Sequence, residues 1–333
     1  MYRVGIVGCG GIAQVHAAVL ERYPDTALIA CADIKSDRAK DLAGRYHCCA
    51  YETLSGMLKN EALDAVHICT PHALHVPMAK EIAEKGIMVF MEKPPIISME
   101  QWNELIDVAN RVRLGVCFQN RYNPNVIEAL RIIREKVYGS PRGARAFVCW
   151  NRLAPYYQES GWRGAWETEG GGALINQSIH TLDLLIRLLG PAKKIEAFMA
   201  NHHLKDVIAV EDTVEAYLQL QACPALFYAT TAYAADAPVS IEIVMDSATI
   251  RLEEERLEIR TKDGVDCRTF PAAETLGKGY WGNGHYACIA DFYQAAKEKR
   301  AYQNDVLSVR DTAMAMLEMY RQGKMHLNIG KKK

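Results

Sequence analysis

The polar residues of one apolar stretch are the first candidates for chemistry in this sequence. Residues 170–190, GGGALINQSIHTLDLLIRLLG, begin with three glycines, end with a fourth and are long enough for a helix. A helix that is apolar nearly all round belongs in a protein interior. Asn176, His180, Asp183 and Arg187 nevertheless recur along it at helical spacing and fall on one stripe. Because buried polar groups need partners, we expect this stripe to face a substrate.

Two side chains of the sequence are suited to moving a proton. His180 titrates close to neutral pH without any tuning, so it can act as an acid or as a base. Lys93 stands in Glu92-Lys93-Pro94-Pro95, directly after a predicted strand. Its ordinary pKa of about 10.4 is high for a base at pH 7, and loss of solvent in a cleft would lower it. We expect both residues to be catalytic, and the sequence leaves open which of them is the formal base.

A glycine-rich turn near the N-terminus predicts a dinucleotide site. The apolar run Tyr2–Val7 is followed by a G-x-G-x-x-A turn, in which the first glycine makes a tight turn and the second lets the backbone approach a pyrophosphate. Asp33 ends the next predicted strand, where a carboxylate accepts from the ribose hydroxyls of NAD. Asp33 would repel the extra phosphate of NADP, so NAD is favoured over NADP, although the nearby cations Lys35 and Arg38 can accommodate that phosphate. The turn residues are Gly8, Cys9, Gly10, Gly11, Ile12 and Ala13.

The first 121 residues alternate between predicted strands and helices. Strands are predicted at 27–32, 64–69, 87–91 and 114–118, with helices between them. This alternation indicates βαβ units in a doubly wound parallel sheet, which binds ligands beyond the carboxyl ends of its strands. The residues expected to bind cofactor there are Thr70, Pro71, His75, Glu92, Lys93 and Gln119, and His16 is expected to pack locally nearby.

The pattern of apolar and polar residues changes in the second half of the sequence. Runs such as 213–220 and 239–246 alternate between apolar and polar residues without intervening helices, which predicts a large, mostly antiparallel open sheet with one buried face. The helix predicted at 170–190 would cover that face, and the predicted helix 123–138 would pack back on the first domain. We therefore expect an α/β protein with domains at 1–121 and 122–333. Semi-apolar residues on the other face predict a homodimer or homotetramer; they are Tyr217, Phe227 or Tyr228, Tyr233 and Val244.

These motifs together resemble the Gfo/Idh/MocA oxidoreductases, over residues 2 to about 323. The resemblance is carried by the glycine turn with Asp33, then TPHALH, EKPP, QNRYNP and GGGALINQSIH. It implies a Rossmann domain followed by a mixed α/β domain. It also implies that Lys93 touches the reacting hydroxyl and that Glu92 lies near the nicotinamide ribose. The family often has aspartate where this sequence has Asn176, and an amide can orient a ligand but cannot hold a proton as a carboxylate does.

Further candidates for substrate binding carry weaker signals. Asp183, one helical turn after His180, either orients that histidine or bonds to nearby backbone N–H groups. Arg121 follows a predicted strand end, from which it can reach cofactor or substrate. An indole at Trp162 can stack on a sugar face or near the nicotinamide. The substrate-binding candidates are Asn176, Asp183, Arg121, Trp162 and Arg163, with Tyr280 as the weakest.

Composition excludes several classes of function. The net charge of −1 and the absence of a basic patch argue against a nucleic-acid partner. The ten cysteines contain no C-x-x-C pair, and the histidines offer no ligand spacing, so we expect no metal. Reduced cysteines inside apolar runs indicate a reducing cytoplasm. The sequence shows neither a signal peptide nor an apolar run long enough to cross a membrane.

The sequence thus predicts an NAD-dependent oxidoreductase that acts on a ring carbon of a sugar, glycoside, sugar nucleotide or cyclitol. One alternative is a glycoside hydrolase that uses NAD transiently, by oxidation, elimination and re-reduction. A second alternative is a catalytically silent NAD-binding module. The sequence does not specify the substrate.

Overall fold

The computed structural model describes residues 1–270 and 284–329, and these fall into two compact units. The first unit holds the described residues of 1–119 and 273–309, and the second holds those of 120–272 and 310–333. The expected division at 121 and 122 therefore misses a return of the chain to the first unit. The return has a physical reason, because Tyr293 stacks on His67 with ring centroids 5.9 Å apart and Phe292 packs against Phe90. Tyr280 lies outside the described residues.

The first unit contains a six-stranded parallel sheet with the strand order β3-β2-β1-β4-β5-β6. This is the order of a doubly wound dinucleotide-binding sheet, as predicted. Strand β3 escaped the sequence analysis because it has three residues and is largely exposed, so it carries no apolar run. The strands are β1 Tyr2–Val7, β2 Thr26–Ala32, β3 Cys49–Tyr51, β4 Ala65–Ile68, β5 Met88–Met91 and β6 Leu114–Val116. The helices are α1 Gly11–Arg22, α2 Ser36–Tyr46, α3 Leu54–Asn60, α4 His75–Ala83, α5 Met99–Arg111 and α9 His285–Lys297.

Local sequence explains where these elements begin and how they pack. Strand β4 is buried along its whole length, as expected for a strand with helices on both faces of the sheet. Helix α5 begins at a cap in which Ser98 Oγ accepts from the backbone N–H of Gln101, while Gln101 Oε1 accepts from Ile97 N–H at 2.9 Å. These reciprocal bonds satisfy N–H groups that the first turn of a helix leaves without partners.

The second unit is built on an eight-stranded sheet with the order β14-β13-β12-β11-β7-β10-β9-β8. Its strand pairs are antiparallel except for β10 and β7, which run parallel, so the predicted mostly antiparallel sheet is confirmed. The strands are β7 Pro141–Cys149, β8 Ala192–Ala200, β9 Thr213–Leu220, β10 Pro224–Thr230, β11 Ser240–Met245, β12 Thr249–Glu253, β13 Arg256–Thr261 and β14 Gly264–Thr269. The helices are α6 Pro124–Arg134, α7 Ala154–Gln158, α8 Ile179–Leu189 and α10 Arg310–Ile329.

Helices cover one face of this sheet and leave the other face open. Helix α8 packs on β7, α10 packs on β8 and α6 packs on β12 and β13, so α8 shares with α6 and α10 the cover expected from residues 170–190 alone. On the open face Phe198, Leu226 and Val244 are exposed. Phe227 is buried, which resolves the choice between Phe227 and Tyr228 in favour of Tyr228 as the partly exposed residue.

Helix α6 belongs to the second unit, which corrects the expectation that it packs back on the first domain. It packs against α8, β12 and β13. Its first turn is tied to the same unit, because Asn125 Nδ2 donates to the carbonyl oxygen of Glu254 at 2.9 Å. None of the helices in the described part of the chain is long and apolar enough to cross a membrane.

The stretch from Gly170 to Gly190 is not one α-helix. Residues Ala173–Ser178 form a π-helical turn, and α8 begins only at Ile179. Ser178 stands at the junction, where its hydroxyl donates to the carbonyl oxygens of Ala173 and Leu174 at 2.9 and 3.1 Å. The stripe predicted at α-helical spacing therefore holds only within α8. Asn176 lies on the π-helical turn, a kind of element that is rare and frequent at functional sites.

Candidate active site

The turn after β1 has the shape that a pyrophosphate site requires. Gly8 has a φ of +86°, and a Cβ atom there would lie 2.6 Å from the carbonyl oxygen of Cys69 on the neighbouring strand. At Gly10, by contrast, nothing lies within 4 Å of the Cβ position, so the backbone is open to an approaching group. Helix α1 starts there with no side chain capping its first N–H groups. A helix N-terminus with free N–H groups favours phosphate, so Gly8, Cys9, Gly10, Gly11 and Ile12 fit the expected cofactor.

Asp33 connects this turn to the end of β2. Its Oδ2 accepts from the backbone N–H of Cys9 at 2.7 Å, and its Oδ1 accepts from that of Lys35 at 2.8 Å. Each carboxylate oxygen has a further lone pair, so these bonds leave capacity for a ribose hydroxyl. Arg38 is exposed on the first turns of α2, and no described contact draws it toward Asp33.

The loops after β4 and β5 are joined by His75. Both of its ring nitrogens lie against carbonyl oxygens, Nδ1 at 2.8 Å from Pro94 and Nε2 at 3.0 Å from Thr70. Burial lowers the pKa of this histidine, so it is neutral at pH 7. A neutral imidazole has a single N–H, so His75 donates a hydrogen bond to one of these carbonyl oxygens and packs against the other, between the two loops. The Thr70 hydroxyl is buried and makes no hydrogen bond among the described residues, which suits a ligand at this edge of the sheet.

Glu92 begins a buried chain of hydrogen bonds that passes through two histidines. His16 Nε2 lies 3.0 Å from Glu92 Oε1, His16 Nδ1 lies 2.9 Å from His67 Nδ1, and His67 Nε2 lies 2.8 Å from the Tyr293 hydroxyl. Burial acts to raise the pKa of Glu92, but the hydrogen bond and charge of His16 outweigh it and hold that pKa well below its usual range. Glu92 is therefore an anion at neutral pH, and its Oε2 accepts from the backbone N–H of Lys93 at 3.2 Å. The sequence analysis had given His16 only a packing role.

The same chain includes the one metal-like grouping found among residues 1–270 and 284–329. His16, Glu92 and Cys117 each offer a ligand atom within 4.8 Å of the others, which the sequence spacing did not reveal. His16 and Glu92 are hydrogen-bonded to each other, so the closeness of these two side chains needs no metal ion. Burial raises the pKa of the Cys117 thiol, so it is protonated rather than a thiolate ligand. We do not propose a metal there.

The glycines at 170–172 are required by two close approaches in the second unit. A Cβ atom at Gly171 would lie 1.9 Å from the Tyr320 hydroxyl, and one at Gly172 would lie 2.0 Å from the carbonyl oxygen of Glu211. The Glu211 carboxyl, fully buried, accepts from the N–H groups of Gly172 and Leu174 at 3.0 Å and from the Tyr320 hydroxyl at 2.8 Å. The glycine run therefore brings the start of the π-helical turn against a buried acid.

Asn176 hydrogen-bonds to a second buried acid, Glu169. The amide Nδ2 of Asn176 donates to Glu169 Oε1, and the N–H of Gly164 donates to Glu169 Oε2 at 2.6 Å. Burial raises the pKa of Glu169 to about 7, and burial likewise raises that of Glu211 to about 7. The sequence analysis missed both acids. Glu169 could have been noticed, because it directly precedes the glycine run, whereas Glu211 carries no such signal.

Arg163 and Trp162 form an aromatic cluster beside this turn. The Arg163 guanidinium lies 4.5 Å from the ring centre of Tyr156 and 4.7 Å from that of Trp162. The Tyr156 hydroxyl in turn accepts from Gln177 Nε2 at 2.7 Å. Rings and a guanidinium of this kind can stack on a sugar and bond its hydroxyls. Tyr156 and Gln177 were not predicted, since nothing in the sequence links them to residues 162 and 163.

Arg121 and Asp183 pair with each other. Arg121 Nε and Nη2 donate to the two Asp183 carboxylate oxygens at 2.7 and 2.5 Å, and the Thr312 hydroxyl donates to Oδ1 at 2.7 Å. Both side chains of the pair are almost completely buried. Of the two roles open to Asp183, the structural one is therefore supported, although its partner is a guanidinium rather than backbone N–H groups.

The structure groups the predicted residues by unit. In the first unit, the strands are parallel, so their carboxyl ends share one edge of the sheet. The predicted residues at that edge are Gly8, Cys9, Gly10, Gly11, Ile12, Asp33, Thr70, Pro71, Glu92, Lys93 and Gln119. In the second unit, Asn176, Trp162 and Arg163 lie in or beside the π-helical turn, and His180 is half-buried in the first turn of α8.

Comparison with known proteins identifies both parts of the chain. Residues 2–119 match the family model described as the oxidoreductase family, NAD-binding Rossmann fold. Residues 126–251 match the GFO/IDH/MocA C-terminal domain. The first match confirms the expected cofactor class.

Two named relatives match part of the chain. D-glucoside 3-dehydrogenase of Escherichia coli is 32% identical over 58% of this chain and 55% of its own length. The rhizopine catabolism protein MocA of Rhizobium meliloti is 29% identical over 57% of each. The chain thus spans somewhat over half the length of these relatives. The comparisons lend no support to glycoside hydrolysis, the alternative raised from sequence.

A solved structure matches nearly the whole chain. The WlbA dehydrogenase from Bordetella pertussis, in complex with NADH and UDP-GlcNAcA, has a TM-score of 0.84 and 25% sequence identity. The match covers 97% of this chain and 96% of that one.

Proposed function

This chain belongs to the Gfo/Idh/MocA oxidoreductases, and from that premise we propose that it is an NAD-dependent dehydrogenase of a sugar-like substrate. The hydride moves between nicotinamide and a ring carbon of a sugar, glycoside, sugar nucleotide or cyclitol. The observation that carries the proposal is the position of Glu92 and Lys93. They follow β5 directly, at the sheet edge that also holds the glycine turn after β1.

Cofactor preference follows from the groups around the second strand. Asp33 places a carboxylate beside the glycine turn, where it accepts from ribose hydroxyls and repels a ribose phosphate. Arg38 makes no described contact that would draw it toward this carboxylate. We propose NAD as the working cofactor. Bound NAD supplies the hydride acceptor for the oxidation or, as NADH, the donor for the reduction.

The protein's own groups then handle the proton and the orientation. Lys93 is proposed to exchange the proton of the reacting hydroxyl, with its backbone fixed by the bond to Glu92. His180 is proposed as a further proton-transfer group, half-buried in the first turn of α8. Asn176, Trp162 and Arg163 are proposed to bind the substrate. Arg121 and Asp183 stabilise the fold of the second unit in this scheme, because their charged groups satisfy each other.

A substrate screen tests the reaction class. Free sugars, inositols, glycosides and UDP-sugars are each incubated with the protein and NAD, and NADH formation is followed at 340 nm with NADP in parallel. We expect steady NADH formation with at least one class. Substrate cleavage with no net NADH would instead support hydrolysis through transient oxidation, and absence of turnover with every class would overturn the dehydrogenase.

Two further properties are proposed alongside the reaction. The exposed apolar residues of the open sheet face, Phe198, Leu226 and Val244, support a homodimer or homotetramer formed through that face. All ten cysteines of the chain are free thiols, six of which are buried, and this supports a reducing cytoplasmic location.

A further inference from the structure

We propose that Glu169 is a positioning residue that selects which end of the Asn176 amide is turned toward the substrate. An ionised Glu169 leaves the Asn176 carbonyl oxygen facing away from the acid, and a protonated Glu169 leaves the NH₂ group facing away. The proposal rests on the proposed function, because it takes Asn176 as a substrate-binding residue. It extends that function, because the protonation of Glu169 would decide whether Asn176 offers the substrate a hydrogen-bond acceptor or a donor.

The geometry of Glu169 makes it a fixed partner for the amide. Its side chain is 1% exposed, and its Oε2 is held by the Gly164 N–H at 2.6 Å. The other oxygen, Oε1, accepts from Asn176 Nδ2. Asn176 is itself held at the backbone, where its N–H donates to the carbonyl oxygen of Gly172 at 3.0 Å. The backbone of Asn176 is therefore fixed, and the change that we propose is a rotation of its side-chain amide.

The chemistry of the two groups links protonation to orientation. An ionised carboxylate has acceptors only, so it bonds the amide through the Asn176 NH₂ group. A protonated carboxyl has one O–H donor, and this bonds the amide best through the Asn176 carbonyl oxygen. Changing from one state to the other turns the amide by about half a rotation, since oxygen and nitrogen occupy equivalent ends of the group. The group presented to a ligand then changes from an acceptor to a donor.

The surroundings of Glu169 place this change near neutral pH. Burial raises the pKa of the acid to about 7, opposed by the hydrogen bonds from Gly164 and Asn176 and by the charge of Arg163. Glu211 raises it further by repulsion. Three tyrosines also interact electrostatically with Glu169 from the elements packed around it. They are Tyr156 and Tyr157 on α7 and Tyr320 on α10.

The orientation of the Asn176 amide decides whether a substrate hydroxyl finds a matching hydrogen-bond partner there. Above about pH 7 the carbonyl oxygen of Asn176 accepts from a hydroxyl, and below it the NH₂ group donates. Loss of one matched hydrogen bond from the half-buried Asn176 costs on the order of a tenfold change in affinity. The switch therefore predicts that KM, rather than kcat alone, changes across this pH range.

The kinetic test compares pH profiles of KM and kcat for the wild type, Glu169→Gln, Asn176→Ala and Glu167→Gln between pH 5.5 and 8.5. The wild-type KM is expected to change about tenfold with a midpoint near pH 7. Glu169→Gln should hold the low-pH value throughout, because a glutamine that keeps the Gly164 bond offers its NH₂ to the Asn176 oxygen. Glu167→Gln is the matched control, since Glu167 is exposed two residues away and should leave the profile unchanged. A KM profile that persists in Glu169→Gln would assign the titration to another group, such as Glu211, and overturn the proposal.

A measurement without substrate separates this inference from the proposed function. The side-chain amide of Asn176 is followed by ¹H–¹⁵N correlation from pH 5.5 to 8.5 and assigned by its loss in Asn176→Ala. We expect its NH₂ signals to shift with a midpoint near pH 7 in the wild type and to be constant in Glu169→Gln. Signals that stay constant in the wild type would refute the coupling. If no substrate class reduces NAD, the proposed function fails, whereas the amide signals still decide the coupling.

Discussion

At the scale of single residues, the protein uses acids in opposite electrostatic settings. Glu92 is kept ionised by a neighbouring histidine, which outweighs its burial, whereas Glu169 and Glu211 are buried strongly enough that their pKa values rise to about 7. The first acid provides a permanent negative charge beside Lys93, and the other two can gain or lose a proton near neutral pH. Environments that separate the pKa values of like groups are typical of active sites.

Lys93 is the residue whose removal should stop the reaction without emptying the cofactor site. Lys93→Ala is expected to lower kcat by a factor of about 100 to 10,000, the usual loss for a general acid or base. NAD affinity should change little, because the glycine turn and Asp33 lie on other loops. Stopped-flow kinetics and NAD titration measure the two effects, with Lys85→Ala, an exposed lysine after α4, as control. A comparable loss of NAD affinity would make Lys93 a cofactor anchor instead.

Asp33 is expected to govern the choice between the two nicotinamide cofactors. Asp33→Ala removes the acceptor of the Cys9 N–H as well as the proposed ribose contact, so NAD should bind about tenfold or more weakly. NADP loses a repulsive charge at the same time, and the ratio of the two dissociation constants should narrow. Isothermal titration with both cofactors gives that ratio, and Asp37→Ala in the exposed first turn of α2 is the control. An unchanged ratio would remove Asp33 from the ribose site.

At the scale of elements, the π-helical turn is the feature that sets the site of the second unit. It arises where Gly171 and Gly172 permit contact with Tyr320 and Glu211 that any side chain would block. Because Asn176 lies on this turn, it does not continue the helical stripe of α8. Asn176 therefore hydrogen-bonds to Glu169, whereas Asp183 pairs with Arg121. Residues that look equivalent along a helical stripe thus receive different partners.

The pair of Arg121 and Asp183 should behave as a structural unit. Asp183→Asn leaves a buried guanidinium without its counter-charge, which is expected to lower the free energy of unfolding by about 3–5 kcal/mol. The double change Arg121→Met with Asp183→Leu removes both charges and should cost much less. Urea unfolding of the second unit measures these values. Glu196→Gln, which breaks an exposed pair with Lys194, is the control and should cost under about 1 kcal/mol. A double variant as unstable as the single one would contradict this account.

At the scale of the whole molecule, the chain leaves the first unit, builds the second and then returns. Helix α9 completes the first unit through its aromatic residues, and α10 completes the second by packing on β8. The two sheets differ in what covers them. The parallel sheet has helices on both faces, whereas the eight-stranded sheet keeps one face open with exposed apolar residues.

Association through the open face is tested with one charge placed in its middle. Leu226 is 58% exposed and stands opposite Tyr217 on β9 and Arg145 on β7. Leu226→Arg is expected to reduce the species in solution from an oligomer to a single chain, because an arginine facing its symmetry mate adds repulsion and loses apolar contact. Light scattering after gel filtration measures the mass. Leu307→Arg, at an exposed leucine of the first unit, should leave the mass unchanged, and an oligomer that survives Leu226→Arg would place the interface elsewhere.

The sequence by itself determined the features that depend on local pattern. Apolar runs and their period gave the two sheets, and the spacing of Gly8, Gly10 and Asp33 gave the dinucleotide site, because backbone shape and burial follow from neighbouring residues. The tertiary structure alone decided which polar groups meet. Arg121 with Asp183 and Glu92 with His16 are joined across 62 and 76 residues of sequence, which no local pattern records. Glu169 meets Asn176, seven residues away, through the π-helical turn between them. The return of α9 to the first unit likewise depends on tertiary packing, because its aromatic residues contact residues far away in the sequence.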